Sequence, residues 1–148
     1  MNKKFLISGF ASGLVILVIM LFVSTILQSM FNYNVLELGG MRNKTDPIMA
    51  LFFIHPWVLG FALSYIYIFI IKKEENRKES KNTKDINRAY LKNGTDFGIL
   101  MWIAVSIPNV FLVFSSMDYP IGFTVNSLIG SLFYMVAAGI TIAWIQND

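Results

Sequence analysis

The chain has 148 residues, 55% of them hydrophobic, a mean hydropathy of +0.59 and a formal net charge of +3. That balance excludes an ordinary water-soluble domain, and the length suits one compact unit without room for a second. There is no cysteine, which excludes a disulfide, a thiolate metal site and a Cys nucleophile.

Lys3 and Lys4 precede the first uncharged apolar stretch, Phe5–Leu27. The opening imitates a signal peptide, but an apolar run of about 23 residues exceeds the roughly 7–15 of such peptides, and no A-x-A site follows. The reading is therefore a retained transmembrane helix over about 5–31. Gly9 and Gly13 form a G-x-x-x-G pattern beside Ser8 and Ser12, the small-residue signature of a helix contact face in lipid. Ser24, Thr25 and Gln28 fall near the far end. A loop containing Gly39-Gly40 follows.

A second uncharged stretch, Ile48–Ile71, predicts a helix over about 47–72. Asp46 suits its N-cap and Pro47 its first helical position. Inside it lie His55, Pro56, Trp57 and Gly60. Residues 73–94 form a basic hydrophilic loop in which Glu74 and Lys78 make an i,i+4 pair. Ile86, Ala89 and Tyr90 suit a short interfacial helix, and a solvated linker is the alternative. Asn93-Gly94-Thr95-Asp96 then reads as a restart, with Thr95 or Asp96 capping a third helix over about 96–117. Trp102, Ser106, Asn109, Val113 and Ser116 make an a/d-type seam along it. The fourth helix, about 119–146, opens at Asp118-Tyr119-Pro120 and carries Gly122, Asn126 and Gly130 at intervals of four. Its expected seam continues through Phe133, Ala137 and Thr141.

A transmembrane helix needs about 20 mostly apolar residues, and all four stretches qualify. The expected fold is all-α: a polytopic membrane protein forming one domain over residues 1–148, an up-down-up-down four-helix bundle. Ten of the twelve Lys/Arg lie before the first helix or between the second and third, only Arg42 and Lys44 elsewhere. Cytoplasmic retention of positive charge then predicts both termini inside. The same clustering explains the basic balance without nucleic acid.

Polar side chains inside hydrocarbon cost free energy unless paired, so their positions carry the functional reading. His55, Asn109, Asn126 and the Ser24–Gln28 group fall in one layer, roughly 8–14 Å below the outer ends at 1.5 Å per residue. Pro56 and Pro108 each remove a backbone donor there, freeing the carbonyls of Phe52 and Ala104. Two outcomes are open: a hydrogen-bonded network that only fixes register, or an outward-facing pocket. The candidate ligand-binding residues are His55, Trp57, Asn109, Asn126, Gln28 and Ser106; the candidate packing residues are Gly9, Gly13, Gly60, Gly122 and Gly130. With one His and no carboxylate in any span, neither a cofactor nor a metal site is expected, and no catalytic residue is assigned.

The run from Asp46-Pro47 to His55-Pro56-Trp57, with Ile107-Pro108-Asn109 and the apolar stretch to Ser116, resembles a pattern in small prokaryotic four-helix integral membrane proteins. No characterised activity attaches to that group. The resemblance implies a multi-pass protein of a bacterial or archaeal cell membrane and carries over no catalytic residue. The leading functional expectation is a non-enzymatic accessory or helix-packing module of a membrane complex, with membrane lipids, a homo-oligomer or a larger membrane protein as partners. The alternative is a binder or carrier of a lipid or small amphipath around His55, Asn109 and Asn126. Last comes a small membrane enzyme using His55.

Overall fold

A computed structural model describes residues 3–40, 42, 45–75 and 86–147. The described chain is helical and contains no strand. Its helices are α1 (Lys3–Phe31), α2 (Ala50–Glu75), α3 (Ile86–Met101), α4 (Ile107–Ser116) and α5 (Ile121–Asn147). A π-helical turn, Trp102–Ser106, joins α3 to α4 without a break, and short 3-10 turns occupy Val35–Glu37 and Pro47–Met49. Four of the resulting helical runs are long and apolar enough to cross a membrane. Their most apolar windows bury only 22% to 39% of their residues within the protein. Phe22, Phe69 and Phe111 are each more than 60% exposed. An apolar surface on this scale is unsustainable in water and is the expected outer face of a bundle in lipid.

The α2 start matches expectation. Asp46 accepts from the Ile48 N–H at 2.9 Å, Pro47 follows it, and Arg42 pairs with the carboxylate at 2.9 Å. That backbone bond, and then the Arg42 bond, hold the Asp46 carboxyl below its ordinary value. Asp118 makes no such bond; α5 begins at Ile121, with the Phe123 N–H on the Pro120 carbonyl at 2.8 Å.

Helix contacts are made at backbone distance. A Cβ added to Gly60 would meet the Gly9 carbonyl oxygen at 2.6 Å and the Gly13 nitrogen at 2.6 Å, so α1 and α2 touch backbone to backbone. Gly9 lies under Phe61, Gly13 under Trp57, and Gly122 under Phe31 and Tyr33. Gly130 differs from expectation: a Cβ added there would meet its nearest neighbours at 3.5 and 3.7 Å, ordinary contact rather than close packing.

The third helix also differs, starting at Ile86 rather than near residue 96. Thr95 and Asp96 therefore sit inside a helix and cap nothing. Gly94, expected in the restart before the third helix, lies within α3 and forms a G-x-x-x-G with Gly98. A Cβ on Gly94 would meet the Ile140 Cα at 2.6 Å, and one on Gly98 the Met135 carbonyl oxygen at 2.6 Å. Docking on α5 offsets the poor helix propensity of glycine. The Lys78 partner of Glu74, and residues 76–85 of the basic segment, lie outside the described residues.

Helix α5 is the hub, packing along both α1 and α3, while α2 packs mainly on α1. Residue pairs 8 with 146 and 24 with 126 make α1 and α5 antiparallel; 8 with 64 and 12 with 60 do so for α1 and α2. The core is Ile16, Leu63, Tyr67, Phe97, Met135, Ala138 and Ile142. The expected α5 seam is therefore displaced: Phe133 is 56% exposed, and the inward line runs through Met135, Ala138 and Ile142. One side of α5 has to serve two neighbours, which broadens and rotates its buried face.

Across the bundle, the Tyr67 and Phe97 rings meet edge to face at 5.2 Å. Toward the other end, α2 and α4 share at most slight backbone contact. The glycine contacts should dominate stability. Gly98→Val is expected to destabilise the protein by about 1–3 kcal/mol, the usual range for overpacking, while Gly39→Ala, with no atom within 4 Å of the added carbon, leaves it unchanged. Thermal unfolding of both variants in mild detergent checks the contrast.

Candidate ligand cavity

The separation of α2 from α4 leaves a cavity of about 450 Å³. Ser24 reaches it from α1, Phe52 and His55 from α2, Asn109 from α4, and Asn126 and Tyr134 from α5. Ser106, at the end of the π-helical turn, lines it too. All four helical runs thus supply a polar side chain to one space.

Local chain geometry explains how. Pro56 is buried within α2 and leaves the Phe52 carbonyl without its usual donor. Pro108 cannot bond the Ala104 carbonyl, and the chain instead forms the π turn, in which the Ile107 N–H bonds the Trp102 carbonyl. The turn's extra residue shifts the register, and Ser106 and Asn109 both reach the cavity. At the start of the turn, the Trp102 indole N–H bonds the Leu128 carbonyl at 3.0 Å and Ser131 at 3.1 Å, anchoring it to α5.

The polar groups divide sharply into satisfied and unsatisfied. Asn126 is buried; its Nδ2 donates to the Ser24 hydroxyl at 3.1 Å and to the Tyr33 phenol at 2.7 Å. Ser106 and Tyr134 line the same space. His55 and Asn109, both exposed into the opening, make no hydrogen bond to any described residue. The Asn126 Oδ1 has no donor either and lies beside Gly130, whose missing side chain keeps the space open. A self-satisfied network through His55 and Asn109 is therefore not what forms.

Two expected ligand-binding residues sit elsewhere. Trp57, two residues on from His55 and so on the other side of α2, packs over Gly13 and against Phe10, its ring 6.1 Å from the Phe10 ring. Its indole nitrogen is buried without a partner. Gln28 donates to Ser24 at 2.8 Å and accepts from the Val35 N–H at 3.0 Å, so it ties the following loop to α1. Tyr33, Ser127, Ser131 and Tyr134 were not anticipated. The last three recur at steps of four and three on α5, a spacing that marks one helix face.

The loop after α1 covers one end of the cavity. Val35 lines the space, Asn34 caps its short turn by accepting from Leu36 at 3.1 Å, and the Tyr119 hydroxyl donates to the Gly39 carbonyl at 3.1 Å. Gly40 adopts φ of 85°, the left-handed region that glycine enters without strain. No carboxylate, lysine or arginine lines the cavity among the described residues, and none of them group into a metal-binding set.

Comparison of the chain with protein-family models, curated proteins and solved structures returns no match.

Burial raises the Tyr33 phenol above its ordinary value of 10.0, and the Asn126 bond opposes that rise. A raised folded-state value means the contribution is complete below the unfolded pKa, near 10, and is lost as pH climbs through the folded one. Asn126→Leu removes the opposing bond, so the Tyr33 titration should move further up. It should also cost on the order of 0.6–1.7 kcal/mol, as for other interhelical hydrogen bonds in membranes. Ultraviolet titration of phenolate, with Tyr33→Phe to assign the signal, checks the direction.

Proposed function

We propose that the protein is a multi-pass membrane protein that binds an amphipathic molecule in the cavity between α2 and α4. The observation that carries this reading is the pair of unpartnered polar side chains, His55 and Asn109, facing a space roomy enough for a ligand. In hydrocarbon an unsatisfied polar group is costly, so a site that keeps several of them gains by binding a molecule that pairs with them. A cavity of about 450 Å³ falls within the range of ordinary ligand sites, about 300–1,000 Å³. His55 and Asn109 can each donate and accept, Asn126 offers its carbonyl oxygen, and the Phe52 and Leu59 side chains suit an apolar tail.

The membrane arrangement belongs to the same proposal. The chain crosses four times, up-down-up-down, as one domain in the cell membrane of a bacterium or archaeon. Lys3, Lys4 and Lys92 are exposed, and the start of α1, the end of α2, the start of α3 and the end of α5 share one end of the bundle. The positive-inside rule then favours cytoplasmic termini and a cavity in the outer half. The accessory-module reading needs a partner helix, and no feature of the described surface selects one. An enzyme built on His55 lacks a carboxylate to orient or complement the imidazole.

Native mass spectrometry of the protein released from mild detergent tests the reading. Retained lipid is expected on the wild type, and His55→Leu should lose most of it while unfolding at the same temperature. Retention that is unchanged in a folded His55→Leu protein would remove His55 from the site; a bound polypeptide instead of lipid would favour the module.

A further inference from the structure

Resting on the reading above, we infer that the occupant is a neutral lipid, with an uncharged hydroxyl- or carbonyl-bearing head, and that it enters sideways from the bilayer between α2 and α4. The charge state follows from the lining. The described walls present amides, hydroxyls, one imidazole and apolar side chains, with no Lys, Arg, Asp or Glu among them. An ionic head placed there would exchange water for dipoles with no fixed counter-ion, a far larger penalty than that of an uncharged polar head. Arg42 does not supply the charge: it is engaged with Asp46 at 2.9 Å, outside the cavity.

The route follows from what closes each side. On the outer face, the loop after α1 forms a lid held at separate points: Gln28 to Val35, Tyr33 to Asn126 and Tyr119 to Gly39. Toward the inner end, Tyr67 against Phe97 closes the gap between α2 and α3. Helices α1 and α5 are packed along their length. The remaining side is the α2–α4 gap, where Phe52 and Val105, each 45% exposed, flank the cavity. An apolar rim leading to buried polar groups is the order in which a lipid tail and head would meet the protein.

The test uses the full chain in phosphatidylcholine vesicles, with diacylglycerol carrying a photoreactive diazirine in its acyl chain. Phosphatidic acid with the same chain is the charged counterpart. At equal mole fraction, diacylglycerol should label the cavity walls on α2 and α4 at least about tenfold more, the ratio that a 1.4 kcal/mol difference supplies. Equal labelling, or a preference for phosphatidic acid, overturns the uncharged head. Because the chain has no native cysteine, a Phe52→Cys, Val105→Cys double variant can be bridged by cleavable dithiol reagents of graded length. Bridging should lower diacylglycerol labelling severalfold, and cleaving the bridge should restore it. Labelling that survives bridging overturns sideways entry, as does failure of every reagent length to join the two residues. Labelling by both lipids keeps the binding site and removes only this inference; labelling by neither, with no lipid retained in native mass spectrometry, removes the binding site itself.

Discussion

Close backbone approach at glycine is the constraint on which the bundle depends. Lipid removes the hydrophobic drive that would press these helices together in water, so association rests on packing and interhelical hydrogen bonds. The available contacts are unevenly distributed. Gly9, Gly13 and Gly60 join α1 to α2, and Gly94, Gly98 and Gly139 join α3 to α5. Toward the same end, Ser8 bonds Ser64 at 2.5 Å and accepts from Gln146 at 2.9 Å, tying three helices through one hydroxyl. Nothing comparable joins α2 to α4. The cavity is where this scheme of contacts stops.

Two prolines act within that frame. Pro56 and Pro108 lie on the two helices that part, and each disturbs the ladder one turn earlier. For Pro108 the disturbance takes the form of a π turn anchored by Trp102, so α4 leaves α5 at a defined place. This couples local backbone chemistry to site geometry, because Ser106 and Asn109 flank that turn's end.

Much of this was legible in the residues themselves. Four uncharged stretches gave four apolar helices, Asp46-Pro47 gave the α2 start, and the polar positions at His55, Ser106, Asn109 and Asn126 converge on one space. The failures have a common physical origin, since periodicity reports spacing and not the neighbour. Gly94 has the same local properties whether it breaks a helix or admits another backbone, and only the position of Gly139 decides between them. Trp57 and Gln28 are polar-tipped and lie close along the chain to His55 and Ser24, but their rotation about the helix axis sends one to Gly13 and the other to the loop. Gln146, which no sequence pattern singles out, is buried because α5 extends as far as Ser8.

The contrast between the two polar clusters argues most directly for a site. At one end, Ser8, Ser64 and Gln146 are all buried, with Ser64 and Gln146 both bonded to Ser8 and packed helix around them. At the other, Ser24, Tyr33 and Asn126 are bonded, while His55 and Asn109 beside them are not, and open space separates the walls. If polar residues served only to fix helix register, both clusters would be expected to close, since partly satisfied networks are the less stable arrangement. The first cluster shows that this chain can close one. The second keeps unused donors and acceptors on two diverging helices, an arrangement that a bound molecule would complete.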